Sequence, residues 1–414
     1  MRFFAATIFA LLATANAASA APPSEWYQWR GPSRDGKLPG SAEWPDSVET
    51  DKLVKEWSKS LAEGYSSPVL SKDYVFTVET KDKEDEITRA FDRKTGEQLW
   101  EHSWAGSMKV PFFAAKNGSW ARSTPVCDGE SIYVGGMLDV LVCINIADGK
   151  ERWRVDFPAQ EDTPPPGFGF ASSPMVDGDH LYVQAGGAVM KLDKHTGKKI
   201  WASMQDKREM YGSAFSSPII STLHGTRQLI VQTRTKLAGL DLETGKVLWD
   251  YEVKAFRGMN ILTPTVIGDS QIFTSTYGGG CFMFDISKDG DTWRASKKWV
   301  NKIEGYMASP DVIDGYVYLH GRDRRFHCIN LETGEEAWQS DEKFGEYWST
   351  ITNGKQILAL DERGELLLIA ADPTELKIVS RQRISKSPTW AHIGIAGNEV
   401  YIRDLKGITK YRWD

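Results

Sequence analysis

The strongest constraint on this chain is a glycine followed four residues later by a tryptophan, a pattern that occurs five times. The pairs are Gly96 with Trp100, Gly149 with Trp153, Gly197 with Trp201, Gly245 with Trp249, and Gly334 with Trp338. Recurrence at this separation indicates a structural repeat. The chain is therefore built from copies of one small unit, not around one large core.

Each glycine and tryptophan pair closes a longer unit of four short strands. In the clearest unit, a turn containing Asp241 and Gly245 precedes Trp249. We expect the Asp241 side chain to accept hydrogen bonds from the backbone just ahead of it, and Gly245 to supply the positive φ of a tight hairpin. The unit is predicted to end as strand, turn and strand, with the tryptophan on the outgoing strand.

The starts of the units are marked by a hydroxyl residue and a proline. Six are clear: Ser67-Pro68, Thr124-Pro125, Ser173-Pro174, Ser217-Pro218, Thr263-Pro264 and Ser309-Pro310. Two more are predicted near Ser349 and Ala391, without the proline. Because proline cannot donate to a strand ladder, it suits the unpaired edge of a propeller's innermost strand. The pattern predicts an all-β fold, an eight-bladed β-propeller of four-stranded antiparallel blades, with seven blades as the alternative.

The last unit reaches Asp414 before it can form a fourth strand. The segment from Leu53 to Trp57 resembles the end of the other units. We therefore predict that an N-terminal strand closes the ring, with residues 21–64 wrapping around to complete the last blade. Residues 21–414 would then form a single propeller domain.

Residues 1–20 have the pattern of a signal peptide. Arg2 precedes an apolar run over residues 3–12, and Ala18-Ser19-Ala20 fits a cleavage site. The run is too short for a transmembrane segment, and no cysteine near the cleavage site could carry a lipid anchor. The sequence thus predicts a periplasmic or secreted protein without a transmembrane segment, and a monomer.

Charge and cysteine content narrow the classes of function. A net charge of −6 without a long basic stripe argues against nucleic acid as a partner. Cys143 and Cys328 occupy equivalent places in two units, which favours small buried side chains over a disulfide framework. Whether Cys127 pairs with Cys143 is left open. The chain has no nucleophile elbow, zinc-protease motif or phosphate loop, so we predict no catalytic residue and no metal ligands.

Aromatic and basic residues precede most of the predicted innermost strands. The ligand-binding candidates are Tyr65, Trp120, Arg122, Phe170, Phe215, Arg257, Tyr306, Tyr347, Trp348, Trp390 and His392. Loops that enter innermost strands should gather around one mouth of the central channel. Such a funnel can bind flat or extended ligands, because aromatic faces supply contact area and arginine supplies orientation. The alternative is that these rings plug the channel and pack blade against blade.

The repeats carry a resemblance to a known family. The Thr-Gly-x-x-x-Trp turns, the Ser-Pro strand starts and the opening run from Gln28 to Gly36 resemble the pyrroloquinoline-quinone (PQQ)-like repeat propellers of exported bacterial proteins, including their BamB-like members. The resemblance implies that the repeated tryptophans dock each blade on its neighbour. These are Trp57, Trp100, Trp153, Trp201, Trp249 and Trp338. The fifth and seventh units depart from the glycine-tryptophan pattern.

The resemblance implies two different functions. One is an exported, non-catalytic scaffold that binds a protein or a small molecule at the propeller mouth, with no cofactor. The alternative is a PQQ-dependent oxidoreductase with a degenerate calcium site. Dehydrogenases of this kind carry two adjacent cysteines and a calcium site of acidic and amide oxygens, and neither maps onto this sequence. We favour the scaffold, with carbohydrate recognition by the rim aromatics as a third possibility.

Overall fold

The computed structural model describes residues 26–38, 43–206 and 214–414. In these ranges the chain forms eight four-stranded antiparallel sheets, arranged in a ring as the blades of a propeller. The predicted all-β, eight-bladed propeller is confirmed, and the seven-blade alternative is excluded. The predicted signal peptide lies outside the described residues.

The first strand of the chain, β1 (Leu53–Ser60), belongs to the last blade, and blades one to four follow it with four consecutive strands each. Their strands are β2 (Val69–Leu70), β3 (Tyr74–Lys81), β4 (Asp85–Asp92), β5 (Gln98–Ala105), β6 (Val126–Cys127), β7 (Ser131–Gly136), β8 (Val140–Asn145), β9 (Glu151–Asp156), β10 (Met175–Asp177), β11 (His180–Ala185), β12 (Ala188–Asp193), β13 (Lys199–Ser203), β14 (Ile219–Leu223), β15 (Thr226–Gln232), β16 (Lys236–Asp241) and β17 (Val247–Glu252).

Blades five to seven repeat the arrangement, and blade eight has three strands besides β1. Their strands are β18 (Thr265–Ile267), β19 (Gln271–Thr276), β20 (Gly280–Asp289), β21 (Thr292–Val300), β22 (Asp311–Ile313), β23 (Tyr316–His320), β24 (Phe326–Asn330), β25 (Glu336–Gln339), β26 (Trp348–Thr352), β27 (Gln356–Asp361), β28 (Glu365–Ala370), β29 (Lys377–Arg383), β30 (Gly394–Ala396), β31 (Glu399–Asp404) and β32 (Gly407–Trp413). In the described ranges, the connections hold one short α-helix, α1 (Phe157–Glu161), and two 3₁₀ helices, Phe112–Asn117 and Phe256–Gly258.

The N-terminal strand closes the ring as predicted. Strand β1 pairs antiparallel with β32, from Leu53 opposite Trp413 to Ser60 opposite Gly407. At the axis, the first strand of blade one touches the first strands of blades two and eight. The first strand of each blade is therefore the innermost, and the loops leading into these strands meet at one end of the ring.

A bulge precedes the repeated tryptophan on the outermost strand of most blades. In blade four, the pairing of β16 with β17 shifts register between Gly239 and Leu240, immediately beside Trp249. Equivalent shifts occur beside Trp57, Trp100, Trp153, Trp201, Trp299 and Trp338. Because a bulge rotates the strand locally, it redirects these side chains out of the regular pleat.

Indole groups link neighbouring blades through hydrogen bonds. The indole nitrogens of Trp57, Trp100, Trp153, Trp201, Trp299 and Trp338 donate to the carbonyl oxygens of Arg93, Ile146, Lys194, Leu242, Leu331 and Asp372, respectively. Each acceptor lies in the next blade, in the turn between its third and fourth strands, which we call the outer turn. A buried indole N–H needs such an acceptor, so every contact satisfies a polar atom while it buries apolar area.

The outer turn has the predicted chemistry. Asp241 Oδ1 accepts from the backbone N–H of Thr244 (2.8 Å) and from its hydroxyl (2.6 Å). Gly245 has φ of +70°, and a Cβ there would lie 2.6 Å from the Trp201 ring. The glycine thus serves two purposes, because it permits the left-handed backbone and makes room for the indole of the preceding blade.

Residues 26–38 lie across one end of the central channel. Leu70 and Cys127, on the innermost strands of blades one and two, donate their N–H groups to the carbonyl oxygens of Trp26 and Tyr27. On the far side of the ring, Thr352 donates to the carbonyl oxygen of Gly36, and Leu38 donates to that of Thr352. This segment is buried against innermost strands around the ring and closes the channel.

Two further sequence questions are answered. No disulfide joins the four cysteines, all of which are buried, so Cys127 does not pair with Cys143. Across the described residues, no helix has both the length and the apolar character needed to cross a bilayer.

Candidate functional site

A cavity of about 380 Å³ opens at the mouth where the loops into the innermost strands converge. Nine of the eleven sequence candidates line it: Tyr65, Arg122, Phe215, Arg257, Tyr306, Tyr347, Trp348, Trp390 and His392. The predicted gathering of these loops around one mouth therefore holds for most of the candidates.

A column of stacked rings forms one wall of the cavity. Trp390 lies between Tyr65, whose ring is parallel at 4.2 Å, and Tyr347 at 3.8 Å. Tyr306 continues the column 5.9 Å beyond Tyr347. The Tyr65 ring stacks on Trp390, whereas the Tyr347 ring is tilted by 45° to it. This wall therefore supplies a large aromatic contact area to the cavity.

The 3₁₀ helix Phe112–Asn117 is fastened to this column. The Tyr65 hydroxyl donates to the Asn117 carbonyl oxygen (2.6 Å), and the Asn117 amide donates to the Tyr347 hydroxyl (3.0 Å). Burial raises the pKa of both tyrosines, so the phenols stay protonated and can act as donors. The helix is thereby held at the edge of the mouth.

The floor of the cavity is Trp29, from the segment that closes the channel. Its ring packs edge to face with His392 at 5.4 Å. The guanidinium groups of Arg30 and Arg34 lie 5.7 and 5.6 Å from the Trp29 ring. Burial, and secondarily the nearby Arg30 charge, lowers the pKa of His392 to about 3, so its imidazole is neutral at pH 7. The mouth is thus a funnel closed at its base.

Hydroxyl groups encircle the cavity just above the floor. Ser67 N donates to Thr124 Oγ1 (3.1 Å), Thr124 N to Ser173 Oγ (3.1 Å), and Ser173 N to Ser217 Oγ (3.0 Å). His392 N donates to Ser67 Oγ (2.8 Å) and continues the ring into blade eight. Five of the six hydroxyl residues of the Ser-Pro and Thr-Pro starts therefore accept a backbone N–H from a neighbouring blade, which leaves the hydroxyl proton available; these are Ser67, Thr124, Ser173, Ser217 and Thr263.

Arg122 is a lining cation without a carboxylate partner among the described residues. Its Nη2 donates to the Gly118 carbonyl oxygen (2.7 Å), while its buried Nε has no acceptor. Burial lowers the pKa of Arg122, and only the phenols of Tyr65 and Tyr347 act in the opposite direction. A largely buried guanidinium that lacks a counter-ion leaves positive potential in the cavity.

Three of the sequence candidates lie in positions that differ from the prediction of a mouth-lining loop residue. Phe170 is 2% exposed and packs on Phe157, away from the mouth cavity. Trp120 packs edge to face behind Tyr65 (5.3 Å) instead of lining the cavity. Trp348 lies within β26, not in the loop before it, and stacks on Phe344 at 4.6 Å with only 2% exposure. Long-range packing decided these three placements.

The rim carries an exposed apolar patch that sequence reasoning missed. Phe112 is 91% exposed, Phe256 51% and Phe113 42%. The Arg257 guanidinium lies 5.0 Å from the Phe256 ring and 5.3 Å from the Phe113 ring, so it bridges the two loops. We call Phe112, Phe113, Phe256 and Arg257 the rim patch. The Phe112-Phe113 pair in the sequence was the available signal, but neither residue directly precedes an innermost strand.

The acidic residues of the cavity do not form a metal site. Among the described residues, Glu346 is the one acidic residue that lines the cavity, and it lies 3.8 Å from Lys116. Across the described part of the chain, no group of three or more His, Cys, Asp and Glu side chains could hold a metal ion.

The repeats, the ring closure and the Trp29 floor can now be compared with known proteins. Residues 83–340, more than half of the chain, match the family described as outer membrane protein assembly factor BamB. The chain belongs to the BamB family. It is 20% identical over 370 residues to BamB of Yersinia pestis, covering 86% of this chain and 87% of that one. Identity to BamB of Shewanella oneidensis is 21% over 374 residues, with 85% and 86% covered.

Solved structures agree on the fold of this BamB-family chain. BamB from Moraxella catarrhalis superposes with a TM-score of 0.65 at 17% identity, covering 87% of this chain and 99% of that one. A quinohemoprotein alcohol dehydrogenase from Pseudomonas putida HK5 gives 0.64 at 13% identity, covering 95% and 80%. At these identities the likeness extends to the eight-bladed ring alone.

Proposed function

We propose that this chain is an exported, non-catalytic scaffold of the BamB family that binds a partner protein with the rim patch at its mouth. It would act in the periplasm. Its role would be in outer-membrane protein assembly, the process that the name of its relatives states. The observation that carries the proposal is the exposure of three phenylalanines on two neighbouring loops. Exposed apolar side chains held together in this way mark surfaces that bind proteins.

The geometry favours the rim patch over other exposed apolar residues. Leu99, Ile200, Val247 and Val379 are also exposed, but each lies on the outermost strand of a different blade. Phe113 and Phe256 instead share Arg257 and border one cavity, and Phe112 packs on Phe113 at 5.7 Å. Phenylalanine and arginine together supply large contact area and directional hydrogen bonds, which is the composition of strong interface positions.

Co-purification tests this function. The tagged full-length protein would be expressed in its own host, and the outer-membrane assembly complex would be extracted in mild detergent. We expect a stable protein complex with the unchanged chain and its loss with the double variant F112S/F256S. Ile200→Ser is the matched control, because Ile200 is 48% exposed and far in sequence from the mouth loops. Equal recovery of the same partner by the double variant would refute the proposal.

The competing function, a PQQ-dependent oxidoreductase, finds little support in the residues of the mouth. Calcium in proteins takes about six to eight oxygen ligands. The part of the lining that the structure describes offers one carboxylate, Glu346, and one side-chain amide, Asn117, and this amide already donates to the Tyr347 hydroxyl. The donor set does not fit a calcium-quinone centre. Reconstitution with PQQ and calcium, followed by dye-linked oxidation of alcohols and sugars, separates the two functions, because sustained turnover would overturn the scaffold proposal.

A further inference from the structure

We infer that the base of the mouth cavity binds an organic carboxylate with a flat apolar body. The site lies in the same cavity that Phe113, Phe256 and Arg257 border, but it uses other residues and does not depend on the proposed scaffold function. Three features of the cavity base carry the inference: its uncompensated cations, its ring of hydroxyl donors, and its apolar walls.

Two guanidinium groups at the base lack carboxylate partners among the described residues. Arg122 lines the cavity with its Nε unpaired. Arg34, beneath the Trp29 floor, donates only to the Gln28 amide oxygen (3.1 Å) and to the carbonyl oxygens of Ser173 and Pro174 (each 2.8 Å). Arg30 differs, because Asp311 lies 3.2 Å away. Buried charge without a counter-ion is costly, so the base has an excess of positive charge that a bound anion would offset.

The hydroxyl ring supplies directional donors beside this charge. Four of its members, Ser67, Thr124, Ser173 and Ser217, line the cavity. Ser67, Thr124 and Ser173 each accept one backbone N–H, which fixes the oxygen and leaves the O–H proton for a ligand. A hydroxyl that already accepts from an N–H is well placed to donate to an oxyanion.

The walls determine the rest of the ligand. Above the base, the cavity is bounded by Trp390, Tyr347, Tyr306, Phe168 and Phe215. Phe168 and Phe215 pack together at 5.3 Å and form the wall opposite the tyrosine column. Glu346 also lines the cavity but lies 3.8 Å from Lys116, whereas Arg122 has no carboxylate partner among the described residues, so a negative charge on the ligand is favoured beside Arg122. A carboxylate at one end of a flat apolar body satisfies all of these features.

Calorimetric titration of the full-length protein with sodium 2-naphthoate tests the inference, with 2-naphthamide as the uncharged probe of the same shape. We expect the amide to bind about ten-fold more weakly or worse, because it forfeits charge-assisted hydrogen bonds. Arg122→Gln should weaken naphthoate binding by a similar factor, and Arg122→Lys should restore part of it. Naphthoate should also raise the melting temperature of the unchanged protein and not that of Arg122→Gln.

Arg322→Gln is the matched control. Arg322 lies at the same mouth, 4.4 Å from the Tyr277 ring, but it already pairs with Glu304 at 3.0 Å. Its loss should leave naphthoate affinity unchanged. Equal affinity for naphthoate and naphthamide, no binding of either, or full binding by a folded Arg122→Gln variant would each overturn the inference.

A second titration identifies the source of the carboxylate. An acetylated tetrapeptide ending in phenylalanine would be compared with its C-terminal amide. Tighter binding of the free peptide than of naphthoate assigns the site to a protein chain end, whereas tighter binding of naphthoate assigns it to a small molecule. Both results support the carboxylate site, and equal binding of the two peptide forms would count against it.

Discussion

Two neighbouring blade interfaces use the same residue type in different ways. Between blades three and four, Trp201 lies over Gly245 and donates to the Leu242 carbonyl oxygen (3.2 Å) of the next blade. Between blades four and five, Trp249 donates instead to Gln228 Oε1 (2.8 Å) within its own blade. In blade five, β20 and β21 extend into a long hairpin, and the glycine of its turn, Gly290, has no indole above it.

The difference shows what the length of the turn contributes. Where the next blade has a short turn, the indole reaches across and donates to a backbone carbonyl oxygen there, as Trp338 does to Asp372 in a turn without glycine. Where the next blade offers a long hairpin, the outer strands β17 and β21 touch directly, and Tyr251 packs on Phe284 at 4.7 Å. Both tryptophans are buried, but the indole N–H of Trp201 donates to the next blade, whereas that of Trp249 donates within its own blade.

Removal of Trp249 should have the largest effect on stability. This side chain is 3% exposed, and its loss opens a cavity and leaves the Gln228 amide oxygen without its donor. We expect Trp249→Ala to reduce the free energy of unfolding by about 3 to 5 kcal/mol, as large aromatic deletions in packed cores do. Chemical denaturation measures this change. An unaltered midpoint would show that Trp249 does not hold the interface.

A pair of glycine substitutions sharpens the comparison. Gly245 and Gly290 both have positive φ, but a Cβ on Gly245 would meet the Trp201 ring, whereas a Cβ on Gly290 meets nothing within 4 Å. We expect Gly245→Ala to cost about 3 kcal/mol or more, from backbone strain and overpacking together. Gly290→Ala should cost about 1 kcal/mol, from backbone strain alone. Equal losses would mean that the indole does not need the space above Gly245.

Trp390, at the mouth, should matter less to stability than Trp249. It is only partly buried, and its contacts are with Tyr65 and Tyr347 and not with a blade core. We expect Trp390→Ala to cost about 1 to 2 kcal/mol, the range of two aromatic pair contacts. Thermal unfolding followed by circular dichroism tests this. A loss as large as that of Trp249→Ala would favour the alternative that these rings plug the channel.

A buried carboxyl group makes the interface of blades one and two sensitive to pH. Burial raises the pKa of Glu86 to about 8, although N–H groups of Met137 and Trp104 favour its charged form. Because the folded state holds the proton more tightly than the unfolded chain, the stabilisation is complete below about pH 4.5 and is lost as the pH rises through about 8.

Glu86→Gln should remove this dependence. Between about pH 4.5 and 8, the Glu86 carboxyl can lower the free energy of unfolding by at most about 1.4 kcal/mol per pH unit. We expect the unfolding free energy of the unchanged protein to fall more steeply over this window than that of Glu86→Gln. Urea titrations at pH 5, 6.5 and 8 measure both slopes. Identical slopes would show that Glu86 is ionised in the folded state throughout.

Much of the fold could be predicted because its determinants are local. The turn around Asp241 and Gly245 is encoded within ten residues, and the missing last strand pointed directly to Leu53 and Trp57. The partner of Trp249 could not be predicted, because it depends on the length of a hairpin in the next blade. Trp348, read as a loop residue, belongs to β26 because it pairs with Asp361 of β27, a pairing that the local sequence does not reveal.

Part of the candidate site could also be predicted, because the repeat fixes where its residues lie. Residues such as Tyr65 and Trp390 precede innermost strands, so the repeat itself places them at the mouth. Trp29 forms the floor only because residues 26–38 fold back across the channel, which no periodicity signals. Phe113 and Phe256 reach the rim from two 3₁₀ helices, whose positions depend on contacts such as that of Asn117 with Tyr347.

Site-specific photo-crosslinking in the living host tests the central claim, that the mouth is the surface that meets a partner protein. A photoreactive phenylalanine analogue would replace Phe112, which is 91% exposed, or Ile200, which is 48% exposed on an outer strand. The account predicts one defined protein adduct from position 112 and none from position 200. The absence of an adduct at position 112, or the same adducts from both positions, would contradict it.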